Sequence, residues 1–283
     1  MNPCTVELRA GPLRLALRPD LGGAIAGLWM GATPLLRSTE PAALTDVRSS
    51  ACYALVPYSN RLGNRQFQWQ GQGQRTAANV ADSPHSMHGV TWQRAWDVVS
   101  SSSTEAELVY RHLADAHWPY AFEATQRFVL TPTALSLHLA ISNRADQTQP
   151  VGLGWHPYML PRPGARLQVR VSERWDNDSS GLPTHRVAQS GIDAAVSDLD
   201  FDNCFGGWQG AARLDDGPIS LRLSSSLPYL VVFTPKDRPY CCVEPVSHVS
   251  NAIQMADPAA HGLCALEPGA TFEASMRIDI AMP

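Results

Sequence analysis

Residues 122–141 read FEATQRFVLTPTALSLHLAI. Apolar residues alternate in Phe122–Leu130, where Gln126 is the one polar member of the row, and again in Leu135–Ile141, and the intervening Thr131, Pro132 and Thr133 are turn formers. That period of two, broken once by a proline-centred turn, predicts an antiparallel hairpin with one face buried. The same alternation appears in Arg14–Arg18 (RLALR), Gln66–Gln70 (QFQWQ), Arg166–Val171 (RLQVRV), Ser220–Leu223 (SLRL) and Phe272–Ile280 (FEASMRIDI). A second hairpin is expected where Trp96–Val99 and Glu107–Tyr110 flank Ser100–Thr104, while Leu230–Phe233 and Tyr240–Val243 read as buried strands. Helical periodicity is scarce. Its best stretch is Pro41–Leu55, which Pro57 would stop. The 22 Pro and 20 Gly punctuate the whole chain and mark no linker. The expectation is therefore one all-β domain over residues 1–283, a large antiparallel β-sandwich with few short helices. Asp176–Asp200 is polar and irregular enough to predict a long functional loop or rim.

Composition narrows the function. Against 26 Asp plus Glu stand 22 Lys plus Arg, a formal net charge of −4, which argues against an electrostatic nucleic-acid binder. All the basic residues but Lys236 are arginine, so amine chemistry has a single candidate while planar recognition of hydroxyls and anions has many. The N-terminal stretch lacks the apolar core of a signal peptide, and no run approaches the ~18 apolar residues of a membrane span. A soluble cytoplasmic protein is expected. The cysteines at 4, 52, 204, 241, 242 and 264 form no CxxC and are expected to be buried free thiols, with one of Cys241 and Cys242 facing inward and the other outward.

Four islands concentrate unusual polar residues near strand edges. In Pro57–Gln66 (PYSNRLGNRQ), Asn60 is either a turn residue or a ligand contact, and Arg61 either a solvated charge or a fork of donors to a bound oxygen. In Ser83–Trp96 (SPHSMHGVTWQRAW), His85 and His88 would point to opposite faces of an extended chain, Gly89 would admit a close approach, and Trp92 and Trp96 read as core. His156, in the largely apolar Val151–Leu160 (VGLGWHPYML), is a shielded histidine suited either to the core or to proton transfer. Glu244 comes at the end of an apolar run and is followed by Pro245. It is either salt-bridged or a general base. The cluster Asp198–Phe205 adds Asp200 and Asp202 as hydroxyl acceptors.

In order, the NR at Asn60 and Arg61, the HG at His88 and Gly89, the GWHPY around His156, the DNCF from Asp202 and the EPVSH from Glu244 resemble the aldose 1-epimerase family, in particular its shorter bacterial branch. The resemblance covers nearly the whole chain and implies a galactose mutarotase-like supersandwich. It also implies interconversion of the α and β anomers of a free monosaccharide, with no metal or organic cofactor. Glu244 would be the base at the anomeric hydroxyl and His156 the acid at the ring oxygen. Arg61 and His88, with Asn60 of the NR motif, would hold the substrate, and Asp202 would accept ring hydroxyls. Apart from the resemblance, Trp155 or Trp208 reads either as a face that packs on the sugar's CH surface or as core. A monomer or homodimer with no nucleic-acid or membrane partner is expected. Where many members carry HGG and an Asn before the acid histidine, this chain has His88-Gly89-Val90 and Gly154-Trp155-His156-Pro157-Tyr158, which leaves the identity of the sugar open, an anionic 6-substituted hexose included. Two rival readings are a non-catalytic carbohydrate-binding sandwich and a cupin-like metalloenzyme built from His85, His88, His156, His248 and Glu244.

Overall fold

The computed structural model describes residues 4–282. The hairpin at residues 122–141 anchors a nine-stranded antiparallel sheet. Strands Phe122–Thr131 and Ala134–Asn143 pair from Phe122 opposite Asn143 to Thr131 opposite Ala134, so the turn tightens to Pro132 and Thr133 alone. Alternate residues Ala124, Gln126, Phe128 and Leu130 are buried, as the period of two requires. Outward from the hairpin the sheet runs through Glu105–His112 to Asp97–Ser101 on one side. On the other it runs through Thr271–Ala281, Ser220–Ser225, Ala211–Asp215 and Arg166–Val169 to Ile192–Ala195.

A second sheet has the order Pro183–Ala188, Glu173–Asn177, Asp202–Gly206, Tyr229–Phe233, Cys241–Val246, Gly154–Trp155, Ala54–Leu55. Phe128, Leu137 and Ile278 of the first sheet and Leu230, Val232 and Val243 of the second share one contiguous apolar cluster. Four shorter strands, from Val6–Ala10 to Thr33–Pro34, form a further antiparallel sheet. No described helix reaches beyond three residues, and none is long and apolar enough to cross a membrane.

Strand Cys241–Val246 is buried at every position, unlike the half-exposed hairpin strands. Cys241 and Cys242 point to opposite faces of the pleat, yet both are fully buried because each face is packed, which corrects the inward–outward expectation. Of the other thiols, Cys52 and Cys204 are buried, Cys264 is half-buried and Cys4 is exposed. Glu244 does not end its strand, which continues through Pro245 to Val246. Direct cross-strand partners share a face, so Glu244 lies in one row with Val231 and Cys204, and Cys242 lies in the next with Phe233 and Asp202. This is the face on which the site is assembled.

Two segments differ from expectation. Pro41–Leu55 forms only the single turns Pro41–Ala43 and Val47–Ser49 before strand Ala54–Leu55. The backbone of Ala51 and Cys52 is taken by Ile25, and Ala54–Leu55 pairs with Gly154–Trp155, so its apolar spacing serves sheet packing. Asp176–Asp200 is strand at 12 of its 25 positions, in Asp176–Asn177, Pro183–Ala188 and Ile192–Ala195. Glu173–Asn177 pairs with Pro183–Ala188 at a sheet edge, where partial exposure of both strands removes the alternation that would have revealed them.

Because Phe128 is fully buried at the centre of the core, Phe128→Ala should lower unfolding free energy by about 3–5 kcal/mol. Denaturant unfolding at neutral pH checks this, and a change below about 1 kcal/mol would contradict the packing described.

Candidate active site

Glu244 and His156 meet although 88 positions separate them. Glu244 is fixed by the ladder on either side of Cys241–Val246. His156 follows the short strand Gly154–Trp155, and its backbone N–H donates to Tyr53 O at 2.9 Å. His156 Nε2 lies 3.3 Å from Glu244 Oε1, with the two residues 7% and 2% exposed. Glu244 Oε2 and His156 Nδ1 are buried and have no partner in the protein. Burial pushes the Glu244 carboxyl well above the usual carboxylate range, Asp202 adding and Arg61 opposing. It pushes His156 well below the usual imidazole range, with His88 and Arg37 lowering it further.

Asn60 and His88 form a second unit. Each takes a left-handed backbone, φ +56° and +62°, that side-chain-bearing residues adopt at a cost. The strain is held by reciprocal bonds. The Asn60 N–H donates to His88 Nδ1 at 3.1 Å, and the His88 N–H donates to Asn60 O at 2.9 Å. With Nδ1 accepting, neutral His88 carries its proton on Nε2, and burial beside Arg61 lowers its pKa to about 3. Gly89 is required here, since its φ is +67° and a Cβ would lie 2.0 Å from Val56 O.

Arg61 reaches from the same corner to Asp202, Nη2 to Oδ2 at 3.1 Å, and donates its backbone N–H to Asn60 Oδ1 at 2.8 Å. Gly181 makes room for the guanidinium, as a Cβ there would sit 2.6 Å from Arg61 Cζ. A cavity of about 650 Å³ opens beside this ion pair, its lining including Asn177, Asp178, His185 and Asn203. Asp200, by contrast, is exposed and Asp202 alone pairs with Arg61.

Aromatic rings fix the imidazoles. His156 stacks on Tyr53 and Tyr158 at centroid distances of 4.9 and 4.5 Å, and His88 meets it edge-on at 5.2 Å. The two tyrosine hydroxyls are 3.2 Å apart. Tyr53 stands in no unusual local pattern and carries no signal in the sequence, and Cys242 reads there only as a buried thiol. Trp155 and Trp208, offered above as sugar-stacking faces, are buried in the apolar core with Trp92 and Trp96.

The four histidines of the cupin-like reading are not gathered. His85 Nδ1 accepts from the Asn64 N–H at 2.9 Å, and His248 Nε2 accepts from the Ser59 N–H at 3.1 Å. The only group of three metal-capable donors among the described residues is His156, Cys242 and Glu244, within 4.8 Å of one another. The chemistry the arrangement supports is transfer of a proton. A neutral carboxyl–imidazole pair and its ion-pair tautomer hold the same number of protons, and one polar atom on each partner is buried without a hydrogen bond from the protein.

A family profile described as aldose 1-epimerase matches residues 5–279. The uncharacterized protein YphB of Escherichia coli K12 is 31% identical over 296 aligned residues, spanning 96% of this chain and 98% of that protein. The solved structure of a candidate aldose 1-epimerase from Escherichia coli K12 superposes with a TM-score of 0.90 at 29% identity, covering 99% of both chains. A galactose mutarotase-like protein from Clostridium acetobutylicum superposes at 0.86 with 18% identity, over 99% of this chain and 95% of that one, and shows the same fold.

The buried histidines make stability acid-sensitive. His88 and His248 are lowered to about 3 and about 4, and His156 is lowered as well, so each stabilises the fold above its ordinary value of 6.5 and loses that contribution as pH falls. Glu244, raised above 4.5, acts in the opposite sense and regains stability on acidification. For these four groups the net is two protons. Unfolding free energy should fall between pH 6.5 and 4.5, these four groups contributing up to about 2.7 kcal/mol per pH unit and His112, which burial also lowers, adding in the same sense. In His88→Asn, where the new amide oxygen can accept the Asn60 N–H and Asn tolerates the left-handed backbone, the slope should drop by about one proton. Urea unfolding across this range is the measurement, and an identical slope in the variant would refute the buried neutral state of His88.

Proposed function

Because the chain belongs to the aldose 1-epimerase family, we propose that it is a mutarotase that interconverts the α and β anomers of a free monosaccharide. The observation that carries this reading is the buried His156–Glu244 pair, 3.3 Å apart, with one unpartnered polar atom on each side chain. A non-catalytic binding site has no use for two desolvated titratable groups in contact, whereas ring opening needs an acceptor and a donor at one acetal carbon.

The chemistry follows. The Glu244 carboxylate removes the proton from the anomeric hydroxyl as the imidazolium of His156 delivers a proton to the ring oxygen. The C1–O5 bond breaks and O1 becomes the carbonyl oxygen of the open-chain aldehyde. Rotation about C1–C2 presents the other carbonyl face. His156 then takes the proton from the C5 hydroxyl while Glu244 returns one to O1, closing the ring as the other anomer. Protons balance over the cycle and no cofactor is consumed.

Neutral His88, with its proton on Nε2, is suited to donate to a sugar oxygen, and Arg61 to steady charge on the ring oxygen. Asn60 shapes that corner, and Asp202, held by Arg61, accepts a hydroxyl. Of the cavity's carboxylates, Asp202 is paired by Arg61 and Asp176 by Arg174, which leaves Asp178 without an arginine and favours a neutral sugar over a 6-phosphorylated or sulfonated one.

Two substitutions test the roles. Glu244→Gln and His156→Ala should each lower kcat at least ~100-fold, the scale of a lost general base or acid, in NMR exchange or polarimetry of freshly dissolved α-aldoses. A panel with 6-deoxy and 6-phosphorylated sugars should show the neutral hexoses turned over faster. Wild-type rates in both variants would end the mutarotase assignment of these residues, and a preference for the phosphorylated sugar would end the neutral-substrate reading.

A further inference from the structure

We propose that Arg37 is a positioning residue for His156: through the ring of Tyr158 it fixes the plane of the imidazole and places a permanent positive charge one stacking layer away. The inference rests on the reading of His156 as the proton donor. Arg37 is outside the motifs that carry the family resemblance.

Its attachment is unusual for a cation. The Arg37 Cζ lies 3.5 Å from the centroid of the Tyr158 ring and 4.7 Å from that of Tyr240. Its Nε and Nη2 donate to Ser50 O at 3.1 and 2.8 Å, and Nη2 also donates to Arg48 O. Asp46, whose carboxylate feels its field, is instead bonded by Arg48 at 2.9 Å. The guanidinium is thus held by carbonyls and ring faces. Its backbone joins the same assembly, since the Arg37 N–H donates to Tyr158 O at 2.9 Å and the Tyr158 N–H to Ala51 O at 2.9 Å. A planar, weakly hydrated guanidinium suits this stacking where an ammonium does not.

Tyr158 transmits the hold, with its ring 4.5 Å from that of His156 at an interplanar angle of 28°. Electrostatics reinforces it. Burial keeps Tyr53, Tyr158, Cys52 and Cys242 protonated and uncharged around the imidazole, and His88 is neutral. Further out, Arg61 and Asp202 pair with each other. Glu244 lies against His156 itself, Oε1 3.3 Å from Nε2. Among the described residues, Arg37 is therefore the permanent charge near the ring that no carboxylate ion-pairs. It disfavours a second proton on the His156–Glu244 pair and makes the imidazolium a stronger acid toward the ring oxygen.

The test uses the full-length protein labelled on its histidine rings, with the His156 signal assigned by its loss in His156→Gln, together with the pH profile of kcat. In Arg37→Gln the midpoint of the His156 titration should rise by about one pH unit, the scale of a charge at this depth, and the acidic limb of kcat should move up with it. KM should stay within about twofold while kcat falls, because Arg37 acts through Tyr158. Arg37→Lys keeps the charge but not the planar stack, so its midpoint should stay close to wild type while kcat drops about tenfold. An unmoved midpoint in a folded Arg37→Gln protein overturns the proposal. If that variant does not fold, wild-type kcat in Arg37→Lys overturns it. If no aldose is turned over, the ring titration still reports the effect of Arg37, and only the catalytic role of His156 fails.

Discussion

Keeping a carboxyl group and an imidazole in contact away from water is the constraint on which the rest of the site depends. Desolvation of either charged form costs several kcal/mol, and an isolated buried carboxyl has no reason to persist in a packed sheet. Glu244 is tolerable because His156 lies 3.3 Å away and because a pair holding one proton carries no net charge in either tautomer. The surroundings follow from that. Strand Cys241–Val246 is covered on both faces, the imidazole is boxed by Tyr53, Tyr158 and His88, and the remaining cations, Arg61 and Arg37, are held by Asp202 or by carbonyls and rings.

Antiparallel pairing is what brings distant residues into this arrangement. Cross-strand partners share a face at about 5 Å spacing, so placing Cys204 opposite Val231 and Val231 opposite Glu244 sets a row of side chains whose positions are fixed by backbone hydrogen bonds. Asn60 and His88 come from outside the large sheets, at the end of the small ribbon that pairs Arg61–Leu62 with Ser86–Met87. There no long ladder fixes the geometry, and two left-handed residues locked by mutual hydrogen bonds take its place. The rigidity lies in the sheets and the strain lies in the connection, a division typical of functional sites.

How legible each part was depends on whether its cause is local. The hairpin at 122–141 was readable because one face is wet and one is dry, so burial writes a period of two into the sequence. Pro183–Ala188 was not, because a partly exposed edge strand needs no apolar alternation. Glu244 looked like the end of a strand because a carboxylate closed an apolar run, whereas the partner that lets it lie mid-strand is 88 residues away. The family motifs singled out His156, Glu244, Asn60, Arg61, His88 and Asp202. Their proximity is a tertiary fact, and the comparisons establish the family and the fold without assigning their roles. Arg37, in the unremarkable run Leu35-Leu36-Arg37-Ser38, carries no local signal at all, since its place over Tyr158 is made by packing alone.

The direction of the proton shifts bears on how such a pair would turn over a sugar. On the mutarotase reading, the closed ring is attacked by the carboxylate–imidazolium tautomer, and ring opening leaves the neutral carboxyl and neutral imidazole. Burial raises Glu244 and lowers His156, so the dry site disfavours the reactive tautomer and favours the one that accompanies the open chain. Proton transfer to the ring oxygen is then driven in part by relief of buried charge, while the sugar's own O1–H and ring oxygen, bonded to Glu244 and His156, stabilise the charged tautomer long enough to react. Because either anomer meets the same pair, one desolvated environment serves opening and closing in both directions. A more polar site would populate the reactive tautomer more heavily but would weaken the drive to open the ring.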